Sequence, residues 1–128
     1  METIRFRAAV VPGSKRGRHL GTPTLNLDLH DVPKQMDEGV YACWVQTMDN
    51  DAGKQLPLAA ALHYGPRPVF NDTRSCEVHV LDAIIDVPPA SVEVIIAQRL
   101  RDVQDFESAE ALQHQIADDI TQARAILQ

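Results

Sequence analysis

The 128 residues are expected to form one domain, 1–128, large enough to bury a hydrophobic core without disulfides or metals and too short for a second catalytic domain. Hydrophobic residues are 45% and charged residues 23% of the chain, a globular balance with no low-complexity tract that leaves disorder expected only at the ends, and the net charge of −6 speaks against a general nucleic-acid binder, which needs a broad basic surface. The cations are uneven: Arg5, Arg7, Lys15, Arg16 and Arg18 fall in the first eighteen positions, compatible with a small anion bound near the N-terminus.

Residues 4–11 alternate, with Ile4, Phe6, Ala8 and Val10 on one face and Arg5 and Arg7 on the other, as in a half-buried strand. The stretch Pro12 to Asn26 follows. Gly13, Gly17 and Gly21 let backbone amides approach a ligand closely, and Lys15, Arg16 and Arg18 add positive charge, a combination suited to phosphate. Thr24 and Asn26, two apart in a short extended piece from Thr24 to Asp28, project to one side and offer neutral oxygens to a hard divalent cation. Neither G-x-x-x-x-G-K-[ST] nor G-x-G-x-x-G occurs, so the common phosphate loops have no local support, and a solvated turn is the plain alternative.

His30 to Glu38 reads as a connection. Gly39 to Thr47 is rich in β-formers, Asp49 to Gly53 signals a turn, and Leu56 to His63 is a second apolar strand, so the two are expected to pair as a hairpin. Gly65-Pro66-Arg67-Pro68 breaks the pattern and predicts a long loop over 64–74. From Cys76 to Leu81 alternation returns, with Glu77 and His79 sharing the face opposite Cys76, Val78 and Val80. After Pro88-Pro89, a last strand puts Val92, Val94, Ile96 and Gln98 opposite Glu93, Ile95, Ala97 and Arg99 and ends near Arg99. From Ser108, an N-cap, Leu112, Ile116, Ile120, Ala123 and Leu127 recur at helical spacing and predict a helix over 109–127 whose outer face carries Glu110, Asp118, Asp119 and Arg124. About six short strands without βα alternation favour a mainly β fold, a closed antiparallel barrel with one C-terminal helix.

Cys43 and Cys76 are solitary and read as buried free thiols in a reducing cytosol. The N-terminus lacks a signal-peptide core, and no apolar run approaches the about 18 residues of a membrane helix. A soluble, cytoplasmic protein without a membrane partner is therefore expected. His19, His30, His63 and His114 show no metal-ligand spacing. Trp44, Tyr41 and Phe6 are assigned to the core, and an aromatic content of 5% leaves no stacking platform for nucleic acid.

Four segments in order resemble the riboflavin kinase family: Gly21-Thr22-Pro23-Thr24-Leu25-Asn26; Gly39-Val40-Tyr41-Ala42; Gly65-Pro66-Arg67-Pro68 joined to Glu77-Val78-His79-Val80-Leu81-Asp82; and Arg99-Leu100-Arg101 with Phe106. The resemblance spans almost the whole chain. It implies a six-stranded antiparallel, Greek-key-like barrel with a C-terminal helix. It also implies phosphorylation of riboflavin at the ribityl 5′-hydroxyl, with ATP as co-substrate and Mg²⁺ or another divalent cation, giving FMN and ADP. The family's adenylyltransferase domain, which makes FAD in many bacteria, has no counterpart in these residues, and a monomer is expected.

By the resemblance, Glu77 is the general base. Gly13, Lys15, Gly17, Arg18, Gly21 and Thr24 hold the nucleotide, Thr24 and Asn26 the metal, and Arg67, Arg99 and Phe106 lie near the flavin. His79 is read as packing or as a structural hydrogen bond. Two departures stand out: Val69 lacks the hydroxyl of the family's Pro-Thr-Phe, and Thr22 replaces an aromatic residue. They motivate the alternative of a flavin- or nucleotide-binding barrel that has lost turnover.

Overall fold

The structure, a computed structural model, describes residues 4–11, 24–47, 57–66, 74–81, 89–104 and 107–127. Six strands, β1 (Arg5–Val11), β2 (Thr24–Leu27), β3 (Gly39–Thr47), β4 (Leu58–Pro66), β5 (Arg74–Val80) and β6 (Ser91–Arg101), precede one helix, α1 (Ala109–Leu127). The strands close into a barrel in the order β1-β2-β5-β4-β3-β6, with every neighbouring pair antiparallel. Within it β3, β4 and β5 follow one another as neighbours and β6 returns beside β3, which is the Greek-key arrangement.

Alternation in the sequence becomes inside and outside of the barrel. Phe6, Ala8, Leu25, Leu27, Tyr41, Cys43, Val45, Leu62, Cys76, Val78, Val80, Val92, Val94 and Ile96 fill the interior. Val32 and Met36 close it from the connection between β2 and β3, which includes a short 3-10 turn, Leu29–Asp31, tied to β1 by Ala9 N–H donating to Asp31 Oδ2 at 2.9 Å. The opposite faces of β3 and β4 carry small residues, Ala42, Ala59 and Ala61, which let α1 dock on the outside of the barrel through Ala123 and Leu127. Trp44, expected in the core, packs in this outer layer. The helix begins as its N-cap predicts, with Ser108 Oγ accepting from Ala111 N–H at 3.1 Å. Both thiols are buried and free, and burial pushes Cys43 far above the ordinary thiol range and Cys76 to about 12.

Three sequence expectations are corrected. The loop predicted over 64–74 does not start at Tyr64: β4 runs through Gly65 and Pro66, which pair with Ser75 and Arg74. Pairing with β3 stops at Gly39–Tyr64, so β4 is a local edge beyond that point and tolerates proline. Gly65 adopts φ +147°, and a Cβ there would lie 2.9 Å from Val103 Cγ2.

The last strand ends at Arg101, and Gln98 does not share the face of Ile96. Against β3 the register slips once between Cys43–Ile96 and Ala42–Gln98 and again between Tyr41–Arg99 and Val40–Arg101, leaving Ala97, Gln98 and Arg99 all exposed. Asp119, placed on the outer face of the helix, is instead buried at 4% exposure against the barrel. Its carboxylate accepts from Arg101 Nε and Nη2, both at 2.8 Å, and from Gln115 Nε2 at 3.1 Å.

Candidate active site

The register of β2 on β5 brings three sequence-predicted site residues together. Thr24 stands opposite His79 and Asn26 opposite Glu77. Leu25 and Leu27 point inward, as do Val78 and Val80, so Thr24, Asn26, Glu77 and His79 emerge on the outer surface of the barrel. On its other side Glu77 pairs with His63 of β4. One row therefore crosses three strands as Asn26, Glu77 and His63, and the next crosses them as Thr24, His79 and Ala61.

Glu77 is half-buried, and Ser75, two residues earlier on the same face, donates its hydroxyl to Glu77 Oε2 at 3.3 Å. Thr24 Oγ1 lies 3.1 Å from His79 Nδ1. His63 and His79 are 8% and 7% exposed. Burial is the main cause that holds both imidazoles down to about 4; the Arg101 charge adds to it at His63 and the neighbouring His63 adds to it at His79, while Asp119 opposes it at both. Both rings are thus uncharged at neutral pH. Neither ring nitrogen of His63 has a hydrogen-bond partner. Behind these rings the Arg101–Asp119 pair joins β6 to α1.

Arg99 is not part of these rows. It is exposed, and its Nη2 donates to Glu38 O and to Asp102 Oδ1, both at 2.7 Å. The guanidinium lies against Gly39, where a Cβ would come within 2.8 Å of Nε and Nη2. Beside it Tyr41 Oη donates to Asp37 O, and Arg74 pairs with Glu38 while its guanidinium sits 5.4 Å from the Tyr64 ring centroid. Gly13, Lys15, Gly17, Arg18, Gly21, Arg67 and Phe106 lie outside the described residues, as do Thr22, Val69 and Asp82.

Thr24 and Asn26, the residues expected to hold a metal, share this outer face with Glu77 and carry side-chain oxygens of the kind a hard cation takes. Among the described residues no group of three or more His, Cys, Asp or Glu could hold a metal, and no helix is long and apolar enough to cross a membrane. Sequence reasoning missed His63 and the Arg101–Asp119 pair. The first could have been found by carrying the alternation of Ala59 and Ala61 two residues on. The second was marked by the four-residue steps from Gln115 through Asp119 to Ala123 and Leu127.

A family model for flavokinase, described as riboflavin kinase, matches residues 1–127. A bifunctional riboflavin kinase/FMN adenylyltransferase of Pseudomonas fluorescens is 33% identical over 123 residues, covering 96% of this chain and 38% of that protein. Against the corresponding Escherichia coli protein the share is 35%, so the chain spans little more than a third of these bacterial relatives. A solved structure of a macrolide-efflux protein from Streptococcus pneumoniae superposes with a TM-score of 0.76 at 29% identity, over 95% of this chain and 38% of that one. Riboflavin kinase from Trypanosoma brucei superposes with a TM-score of 0.62 at 22% identity, over 99% of this chain and 81% of that one, a likeness that shows the shared fold.

Proposed function

Because the chain belongs to the riboflavin kinase family, we propose that it transfers the γ-phosphoryl group of ATP to the ribityl 5′-hydroxyl of riboflavin, giving FMN and ADP. The observation that carries this reading is the position of Glu77, a strand-held carboxylate between Asn26 and His63 with Thr24 on the same face. Phosphoryl transfer to an alcohol asks for positioning, charge neutralisation and removal of one proton, and this face offers groups for each.

Glu77 takes the hydroxyl proton as the ribityl oxygen attacks phosphorus; the new P–O bond forms as the bond from the γ-phosphorus to the bridging oxygen breaks, and ADP leaves. Ser75 donates to one carboxylate oxygen of Glu77 and so helps to orient the group. Thr24 and Asn26 would hold Mg²⁺ or a similar divalent cation, which supplies charge neutralisation at the phosphate oxygens. Their oxygen-only chemistry fits such an ion.

Gly13, Lys15, Gly17, Arg18 and Gly21 are assigned to the nucleotide phosphates, and Arg67, Arg99 and Phe106 to the flavin side. For Arg99 this role starts from a guanidinium already held by Glu38 and Asp102. Residues 1–128 are read as one kinase domain, acting as a monomer in the cytoplasm.

The test is direct. Purified protein incubated with riboflavin, ATP and Mg²⁺ should yield FMN and ADP in equal amounts when the products are separated. Tight flavin binding with no FMN formed would overturn the reading in favour of a binding module.

A further inference from the structure

The row that holds Glu77 continues past it. Asn26 faces Glu77, Glu77 faces His63, His63 faces Val40 and Val40 faces Arg101, so one outer row crosses β2, β5, β4, β3 and β6 in turn and ends on the Arg101–Asp119 pair. Each step is about 5 Å. On the kinase reading the cation and the phosphates belong on the Asn26 side of Glu77, and displacement at phosphorus sets the attacking and leaving oxygens roughly in line. The alcohol then comes in from the opposite side, over β4, where His63 is the next side chain of the row.

His63 is 8% exposed, and neither ring nitrogen has a hydrogen-bond partner. Both are covered by protein atoms that do not bond to them, so a ligand group that displaces such a contact gains a hydrogen bond at the ring and breaks none there. Whichever nitrogen carries the proton, the uncharged ring offers one donor and one acceptor. A phosphate takes up only the donor, and a cation only the acceptor. A hydroxyl both donates and accepts, so two neighbouring hydroxyls serve the ring in either tautomer. In riboflavin the 4′- and 3′-hydroxyls stand on the carbons that follow the one whose oxygen Glu77 deprotonates, within the reach of a single strand step.

We propose that His63 is a substrate-binding, specificity-determining residue: its two ring nitrogens pair with the ribityl hydroxyls next to the 5′-hydroxyl and seat the polyol chain across β4 with its end at Glu77. The side from which the alcohol enters rests on the kinase reading; the preference of His63 for hydroxyls does not.

The test compares riboflavin with lumiflavin, the same ring system with a methyl group in place of the ribityl chain. Both are titrated by flavin fluorescence against the full chain in the presence of ADP and Mg²⁺. His63→Leu should weaken riboflavin binding by about 10–100-fold, the loss of one or two hydrogen bonds at a buried site, and leave lumiflavin binding unchanged. His63→Asn, which keeps a donor and an acceptor, should recover most of the loss. Equal weakening for both flavins marks a merely structural histidine and overturns the proposal, as does a wild-type preference for riboflavin retained in His63→Leu. A second measurement needs no variant of wild-type stability: in the ¹⁵N-histidine spectrum of the wild-type chain, with His63 assigned by its loss in His63→Asn, the ring nitrogens should shift when riboflavin is added and stay in place with lumiflavin. Ring nitrogens that riboflavin does not move overturn it. A wild-type protein that forms no FMN yet shows the His63-dependent preference refutes the kinase reading and leaves this proposal standing; normal FMN formation with no such preference does the reverse.

Discussion

Asn26 on β2 stands directly opposite Glu77 on β5, so an amide and a carboxylate 51 residues apart in the chain emerge side by side on the outside of the barrel. Glu77 is flanked on its other side by His63 of β4, so its backbone is held by ladders on both edges. A base placed this way has little freedom to drift, which is what proton abstraction in a short-lived geometry requires.

Replacing Glu77 by Gln keeps the size and the hydrogen bond from Ser75 but removes basicity. Turnover to FMN should fall roughly 10²–10⁴-fold while both substrates still bind. Single-turnover FMN formation beside flavin fluorescence titration separates the two quantities. Near-normal turnover would mean that Glu77 is not the base.

Thr24→Ala removes one of the two proposed metal oxygens and should weaken nucleotide binding chiefly when Mg²⁺ is present, whereas Thr24→Ser should stay close to wild type. Calorimetric titration with and without Mg²⁺ reads the difference. Equal losses in both conditions would point to a turn residue.

The Arg101–Asp119 pair is deeply placed, with side-chain exposures of 15% and 5%. Asp119→Ala takes the carboxylate from the Arg101 guanidinium, which keeps its bond to Asp102 O, and should cost about 3 kcal/mol in chemical denaturation. The double variant Arg101→Met with Asp119→Leu should lose less, because neither charge of the pair remains to be buried. If the double variant is as unstable as the single one, the pair's contribution is packing and not charge.

Burial holds His63 and His79 at about 4 in the folded chain, below their ordinary value of 6.5. The unfolded chain then binds more protons than the folded one between those values, so stability is complete above pH about 6.5 and falls as pH drops toward 4. His63 also leaves two ring nitrogens without partners. His63→Leu should therefore raise stability at pH 7 by about 1 kcal/mol and flatten part of the acid slope. Denaturant midpoints at pH 7.5, 6 and 5 check both effects; an unchanged slope would show that His63 does not drive it.

Gly65→Ala combines a backbone angle reserved for glycine with a Cβ 2.9 Å from Val103 Cγ2. A loss of about 1–3 kcal/mol is expected, read as a lowered thermal midpoint. A wild-type midpoint would show that the segment after β6 gives way at no cost.

Much of the fold was legible because alternation and helical spacing are local. Phe6 and Ala8, Val92 and Val94, and the run from Leu112 to Leu127 declare their buried sides by period alone, and the face shared by Glu77 and His79 follows from the same rule. The approximate strand count and the closed barrel followed from the same periodicity, and the resemblance to riboflavin kinases agreed with them and added the weight placed on Glu77.

Tertiary structure decided which faces meet. That Asn26 and His63 flank Glu77 depends on β5 lying between β2 and β4, an order set by how the whole barrel buries its apolar sides. Pro66 was misread because a proline's cost depends on whether a neighbouring strand still runs beside it, and β3 has ended there. Gln98 was misread because the register of β6 slips against β3, and Asp119 because its partner Arg101 arrives from another element and offsets the burial of a carboxylate. Local spacing settled the inward sides of β1 and β5, of β6 as far as Ile96, and the apolar stripe of the helix, since those follow from residues a few positions apart. Register, edges and buried ion pairs belong to the closed barrel, since each is a relation between segments that only burial of the common core brings together.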